Sequence, residues 1–160
     1  MISNKSKYWI VTDLDGTLMD ENYDISPARN TLKLLAELNI PVIPCTSKTA
    51  SEVRYFRKEN GLMDPFIVEN GAAIYGYNKN NLSEWELILG KSYKELRSIL
   101  INISKTIKYD LTPLNDLNRN QIFELTGLSD EGIIRALDRQ WSVPFLNPPD
   151  DIFEKIIIVS

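Results

Sequence analysis

The sequence predicts an α/β fold in which helices cover a parallel sheet, and three observations carry that expectation. Short apolar runs rich in β-branched residues alternate with helix-periodic segments from Tyr8 to Val68. The connections between them are short, as in strand-helix-strand units wound into one sheet. From about Asn78 the alternation gives way to a stretch dominated by helix signals. The expected division is a core over residues 1–77 and a second, α+β region over 78–160.

Tyr8 to Thr12 reads as a first buried strand, its apolar residues bounded by polar ones. Ser26-Pro27 has the form of a helix start, Ser26 as cap and Pro27 in the first turn, with Ala28, Leu32, Leu35 and Leu38 on one face. Pro41 to Cys45 is a second strand. Thr49 and Glu52 stand at capping-box spacing before a helix that carries Val53 and Phe56 and stops at Asn60-Gly61. Pro65 to Val68 and Ala72 to Tyr77 are third and fourth strands. Asn78 to Ser83 is a polar junction, Trp85 to Leu89 another strand, and Ser92 with Glu95 caps a helix bearing Leu96, Ile99, Leu100 and Ile103. Shorter helices are expected around Ile122 to Leu125, ending at Gly127, and from Ser129 to Asp138. Pro144, Pro148 and Pro149 mark a loop, and Ile156 to Val159 reads as a last strand.

Composition narrows the chemistry. The 160 residues carry a net charge of -4 with no basic cluster, which argues against nucleic acid or a membrane surface as the main partner. The lone Cys45 permits no internal disulfide. No signal-peptide pattern or long apolar run is present, so a cytoplasmic location is expected. Histidine is absent, which removes the commonest general base and most zinc sites. Any catalysis must use carboxylates, hydroxyls, lysine or a hard metal.

Parallel strands joined by right-handed crossovers place their C-terminal ends at one edge, where ligands of open sheets bind. Asp13-Leu14-Asp15-Gly16-Thr17, Thr46-Ser47-Lys48 and Glu69-Asn70-Gly71 follow the first three strands and should meet there. Two carboxylates brought to one point disfavour each other's ionisation unless a cation lies between them. A hard ion with oxygen ligands, Mg²⁺ above all, resolves that conflict. An EF-hand loop is excluded, because its sixth and twelfth positions, counted from Asp13, hold Leu18 and Asp24. Asp13 is then placed to attack a phosphoryl group, and Asp15 to protonate the leaving oxygen and later activate water. Ser47 and Lys48 stand at a helix N-terminus, where free amides suit an anion. A solvated lysine at 48, an exposed helix-end arginine at 139 and a plain strand-ending turn at Asn70-Gly71 remain equally compatible with the residues alone.

Asp13-Leu14-Asp15-Gly16-Thr17-Leu18 after an apolar strand resembles the first signature of the haloacid dehalogenase superfamily. The resemblance implies a Rossmann-like core with a cap insertion, an aspartate nucleophile at Asp13, Mg²⁺ held by Asp13 and Asp15, and Thr46 hydrogen-bonded to the transferred phosphoryl group. Cys45 to Tyr77, with Glu124 to Leu128 and Arg139 to Leu146, is similar to the mannosyl-3-phosphoglycerate phosphatase branch. That branch implies a small phosphorylated sugar-glycerate substrate touching Thr46, Ser47, Lys48, Asn70 and Arg139, and a place in compatible-solute synthesis. Another capped sugar-phosphate phosphatase or a phosphosugar mutase is the alternative. Gln140 and Val143 depart from the acidic residues expected near those positions, so cap contacts to the sugar differ. The superfamily also implies a later lysine and a Gly-Asp-rich loop. Lys155 is the only lysine beyond Lys108 and no such loop follows it, so the sequence reads as a C-terminally truncated phosphatase, active or silent, with an uncovered sheet edge.

Overall fold

The computed structural model describes residues 7–20, 23–78 and 83–159. They form two compact units, Met1–Leu89 and Gly90–Ser160.

In the first unit, β1 (Ile10–Thr12) pairs in parallel with β2 (Val42–Pro44), Val11 standing opposite Ile43. A parallel bridge from Cys45 to Ile67 continues the order to β3 (Phe66–Val68). The crossovers are α1 (Arg29–Glu37) and α2 (Ala50–Asn60), as expected for a parallel sheet. β4 (Ala73–Tyr77) then turns back antiparallel onto β3, and β5 (Glu84–Ile88) pairs antiparallel with β4. The expected boundary after Tyr77 thus lies within the β4–β5 hairpin, whereas the contacts divide the chain between Leu89 and Gly90. Most of the polar junction at 78–83 lies outside the described residues. The core is Leu14, Val42, Val53, Phe66, Val68, Ala73 and Tyr75.

The α2 helix is the best-specified element, and it positions the site. Thr49 accepts the Glu52 amide while the Glu52 carboxylate accepts the Thr49 amide, and Gly61 closes the helix in the left-handed region at φ 66°. Arginines fasten its outer half to the antiparallel strands. Arg54 makes a two-pronged hydrogen bond to Glu84 at 2.9 and 2.8 Å and lies over the Tyr75 ring. Arg57, only 4% exposed, stacks on Phe66 and donates to the Asp64 carbonyl at 2.6 Å.

Three expectations are corrected. The first strand forms but is not buried, since Ile10 and Val11 are exposed. Ser26 does not cap a helix: its amide and hydroxyl both donate to Asp24 Oδ1, and a single 3-10 turn, Ser26–Ala28, precedes α1. Asp24 thereby closes a local side-chain turn onto an amide two residues on, and among the described residues no side chain caps the 3-10 turn or α1. The run Ile156 to Val159 is not a strand but the end of α6 (Asp150–Val159). Pro148-Pro149 followed by Asp150-Asp151 is a helix start, and a short apolar run by itself does not distinguish a buried strand from a helix.

The second unit begins with α3 (Tyr93–Ile107), capped by Ser92 and Glu95. It continues through α4 (Arg119–Thr126), closed by Gly127, and α5 (Asp130–Leu137), capped by Ser129. The α6 helix lies along α3, and Leu100, Leu111, Ile122, Ile133, Ala136 and Ile152 form the core of this unit. A bridge between Pro113 and Phe145 ties the loop after α5 back to the segment before α4.

Candidate active site

The loop after β1 is shaped by a residue that points away from it. Leu14 is fully buried, and its carbonyl accepts the amides of Thr17 at 3.3 Å and Met19 at 2.8 Å. With Leu14 inward, the neighbouring Asp13 and Asp15 face outward, and both are exposed. Asp13 Oδ1 accepts the Leu14 amide at 2.7 Å, which fixes the start of that side chain. Gly16 sits at φ 67° with open space where a Cβ would be, so the turn asks for glycine's conformation and not for its small size.

The other two loops are stitched to each other. Thr46 donates its amide to the Ile67 carbonyl, continuing the parallel ladder, and accepts the Asn70 amide on its own carbonyl at 3.1 Å. The Lys48 carbonyl accepts the Glu69 amide at 3.0 Å. Glu69 and Asn70 are consecutive residues with positive φ, 48° and 60°, and Glu69 is buried. Such conformations cost about 1–3 kcal/mol each and persist where surrounding bonds hold them, as the two to Thr46 and Lys48 do here. Thr46 is buried and its hydroxyl accepts the Lys48 amide at 3.3 Å, while Ser47 and Asn70 are exposed.

The first loop joins the second through Lys48, whose Nζ lies 3.0 Å from Asp15 Oδ1. Asp13, Asp15, Thr46, Ser47, Lys48 and Asn70 therefore come from three loops that meet at the C-terminal ends of β1, β2 and β3, through hydrogen bonds and one ion pair. Arg139 belongs to the second unit, where its Nη1 donates to Ser142 Oγ at 3.0 Å. Sequence reasoning gave three neighbours no role at the site. Glu52 Oε1 lies 3.9 Å from Lys48, the Tyr23 ring centroid lies 5.0 Å from its ammonium, and Glu69 is buried. Glu52 was signalled by its i,i+4 spacing from Lys48, and Glu69 by its place in the loop after the third strand.

Among the described residues no group of three or more His, Cys, Asp or Glu side chains is placed to hold a metal. The side-chain donors that Asp13 and Asp15 offer are oxygens, the kind a hard divalent cation takes. Asp13 is exposed and, among the described residues, no basic side chain lies within ion-pairing distance of it. The two acids thus fit such a cation in kind, with few protein ligands.

Sequence comparison defines the class of protein this geometry belongs to. The family of haloacid dehalogenase-like hydrolases matches residues 10–112, and the chain belongs to that family. Within it, the chain is 35% identical over 147 residues to a glucosyl-3-phosphoglycerate/mannosyl-3-phosphoglycerate phosphatase of Persephonella marina, covering 86% of this chain and 54% of that protein. A protein of the same description from Methanococcoides burtonii is 34% identical over 156 residues, covering 91% of this chain and 57% of the relative. The chain thus spans about half the length of the curated relatives it matches. Among solved structures, a Thermoplasma acidophilum protein superposes with a TM-score of 0.59 at 17% identity, over 92% of this chain and 54% of that one. A haloacid dehalogenase-like hydrolase from Bacteroides thetaiotaomicron gives 0.57 at 19%, over 96% and 62%. These likenesses establish the fold.

Proposed function

We propose that the chain carries the nucleophile half of a Mg²⁺-dependent phosphatase acting on mannosyl- or glucosyl-3-phosphoglycerate. The observation that supports the reading most is the convergence of the Asp13–Thr17 and Thr46–Lys48 loops through the 3.0 Å contact of Lys48 with Asp15. In the proposed reaction an Asp13 carboxylate oxygen attacks phosphorus, the bond to the ester oxygen breaks, and Asp15 in its acid form gives that oxygen a proton. Water then attacks the aspartyl phosphate and passes its proton to Asp15, and the bond between phosphorus and Asp13 breaks to free phosphate. Thr46 is proposed to donate its hydroxyl to the phosphoryl oxygens, with Ser47, Lys48 and Asn70 around them. Asp13 and Asp15 would hold Mg²⁺, which when bound supplies positive charge against the phosphoryl group. Arg139, within a proposed cap, is assigned to a carboxylate or phosphate of the substrate, either of which its forked guanidinium suits.

The test is phosphate release from both sugar phosphoglycerates, with and without Mg²⁺, by the purified chain beside its Asp13→Asn variant. Mg²⁺-dependent release that disappears in the variant, with its circular dichroism unchanged, is the expected result. Release of equal rate from the variant would sink the assignment of the nucleophile. A second reading, a chain that is silent by itself, draws support from the absence of a three-ligand acidic group among the described residues. It predicts no release from either protein.

A further inference from the structure

Resting on the proposed sugar phosphoglycerate substrate, we propose that Tyr23 is a specificity residue: its ring is the platform for the sugar once the phosphate is held by the Thr46–Lys48 loop. The ring stands beside that loop. Its centroid lies 5.0 Å from the Lys48 ammonium, and the Lys48 amide donates to Thr46 Oγ1 at 3.3 Å. A phosphate drawn to Lys48 is therefore close to the ring as well. Tyr23 is nevertheless 52% exposed, so the ammonium takes part of its surface and leaves the rest open to a ligand.

The backbone keeps the ring there against its own preference. Tyr23 sits at φ 61°, a conformation that bulky residues rarely adopt and that glycine takes without cost. Its amide donates to the Asp20 carbonyl at 3.0 Å, and the Asp20 amide donates to the Asp24 carbonyl at 3.0 Å. The Asp24 amide in turn donates to Asp20 Oδ1 at 2.9 Å, so bonds in both directions close the turn that carries the ring. An exposed tyrosine gains little from burial to offset that conformation, and strain held beside a candidate site is accounted for by a contact with the ligand. The ligand's chemistry fits the placement. Glycerate has two hydroxyls, on adjacent carbons; one carries the phosphate, so the sugar is on the other and the two groups are neighbours. A sugar ring presents polarised C–H groups on its face, and these suit the electron-rich face of an aromatic ring.

The test compares two ligands, glucosyl-3-phosphoglycerate and 3-phosphoglycerate, which differ by the sugar alone. Both are titrated calorimetrically in Mg²⁺ buffer into the purified Asp13→Asn chain, which lacks the nucleophile, so that binding is read without turnover. Adding Tyr23→Leu removes the ring at the same backbone demand. It should weaken the sugar-bearing ligand roughly 3- to 10-fold, the range expected for one aromatic contact, and leave 3-phosphoglycerate unchanged. Tyr23→Phe keeps the ring and should bind both ligands as the parent does. Undiminished affinity for the sugar-bearing ligand in Tyr23→Leu, with circular dichroism unchanged, overturns the inference. An equal loss for both ligands also overturns it, because the ring would then act only by propping Lys48. Lys48→Gln separates the two levels. If it weakens both ligands while Tyr23→Leu weakens neither, only the sugar platform falls. If the parent binds neither ligand, or Lys48→Gln leaves both affinities unchanged, the phosphate is not held by this loop and both readings fall.

Discussion

Asn70 is the residue at which shape and chemistry can be separated. It sits at φ 60°, next to Glu69 at φ 48° and before Gly71 at φ 90°, so three consecutive residues occupy the left-handed region. Asparagine tolerates that region better than most residues, and glycine better still. Asn70→Ala should therefore lower stability by about 1 kcal/mol in urea unfolding, while Asn70→Gly should be nearly neutral. If the side chain touches substrate as proposed, Asn70→Gly will raise KM at unchanged stability. An unchanged KM would reduce Asn70 to a turn residue. The meeting of the three loops was legible in the sequence, because parallel strands separated by single helices place their ends at one edge. The partner of Lys48 was not. Whether a long side chain reaches solvent, substrate or Asp15 depends on neighbours such as Tyr23, which lies on another segment. Nor was the left-handed conformation of Glu69 legible, since a glutamate gives no local signal for positive φ and owes it to the bonds made by the loop around Thr46.

Among the elements, the capped helices make the sharpest statements about stability. Thr49 is fully buried and closes a capping box with Glu52, so Thr49→Ala should cost about 1–2 kcal/mol by loss of the cap, measured by chemical denaturation. In α3 the Ser92 hydroxyl and then its amide, both donating to the Glu95 carboxylate, hold that carboxyl below its ordinary value. Because the folded value is depressed, the contribution is fully present above the unfolded value and is lost as pH falls through the folded one. A thermal melting series from neutral to acidic pH should show less of that decline in Glu95→Gln than in the wild type, and an identical slope would remove the capping box as its source. The β4–β5 hairpin depends on a glycine for space. A Cβ at Gly76 would come 2.6 Å from Trp85 Cε2 on the facing strand, so Gly76→Ala should destabilise the hairpin by about 1–3 kcal/mol and shift the tryptophan emission. These helix ends were readable from sequence because capping uses local spacing: Thr49 with Glu52, Ser92 with Glu95, Gly61 and Gly127. The end of α6 was not, because Ile156 to Val159 is apolar on every side. Only its leader, Pro-Pro-Asp-Asp, carried the helix signal.

At the scale of the whole molecule, the distribution of apolar surface sets how the chain behaves in solution. The strand β1 has one paired neighbour, β2, among the described residues, and its other edge carries no ladder. Leading into and along it, Tyr8, Trp9, Ile10 and Val11 are 62%, 70%, 40% and 55% exposed. Buried strands of a parallel sheet read as continuous apolar runs, and this run has that character without the burial. The α1 helix is uncovered in a similar way, with Leu34 and Leu38 exposed and no buried residue along its length. An open edge beside an apolar face is a template for pairing with another chain. The purified chain should therefore associate as its concentration rises, seen as an increasing weight-average mass in sedimentation, and a β1 edge that carries charge should resist this. Trp9→Lys together with Val11→Lys puts two ammonium groups where pairing would bring them together, and both positions are exposed, so the fold has little burial to lose there. Lower association in the double variant at unchanged circular dichroism would trace the behaviour to this edge. Association that persists undiminished would move its source elsewhere, first to the face of α1 that holds Leu34 and Leu38.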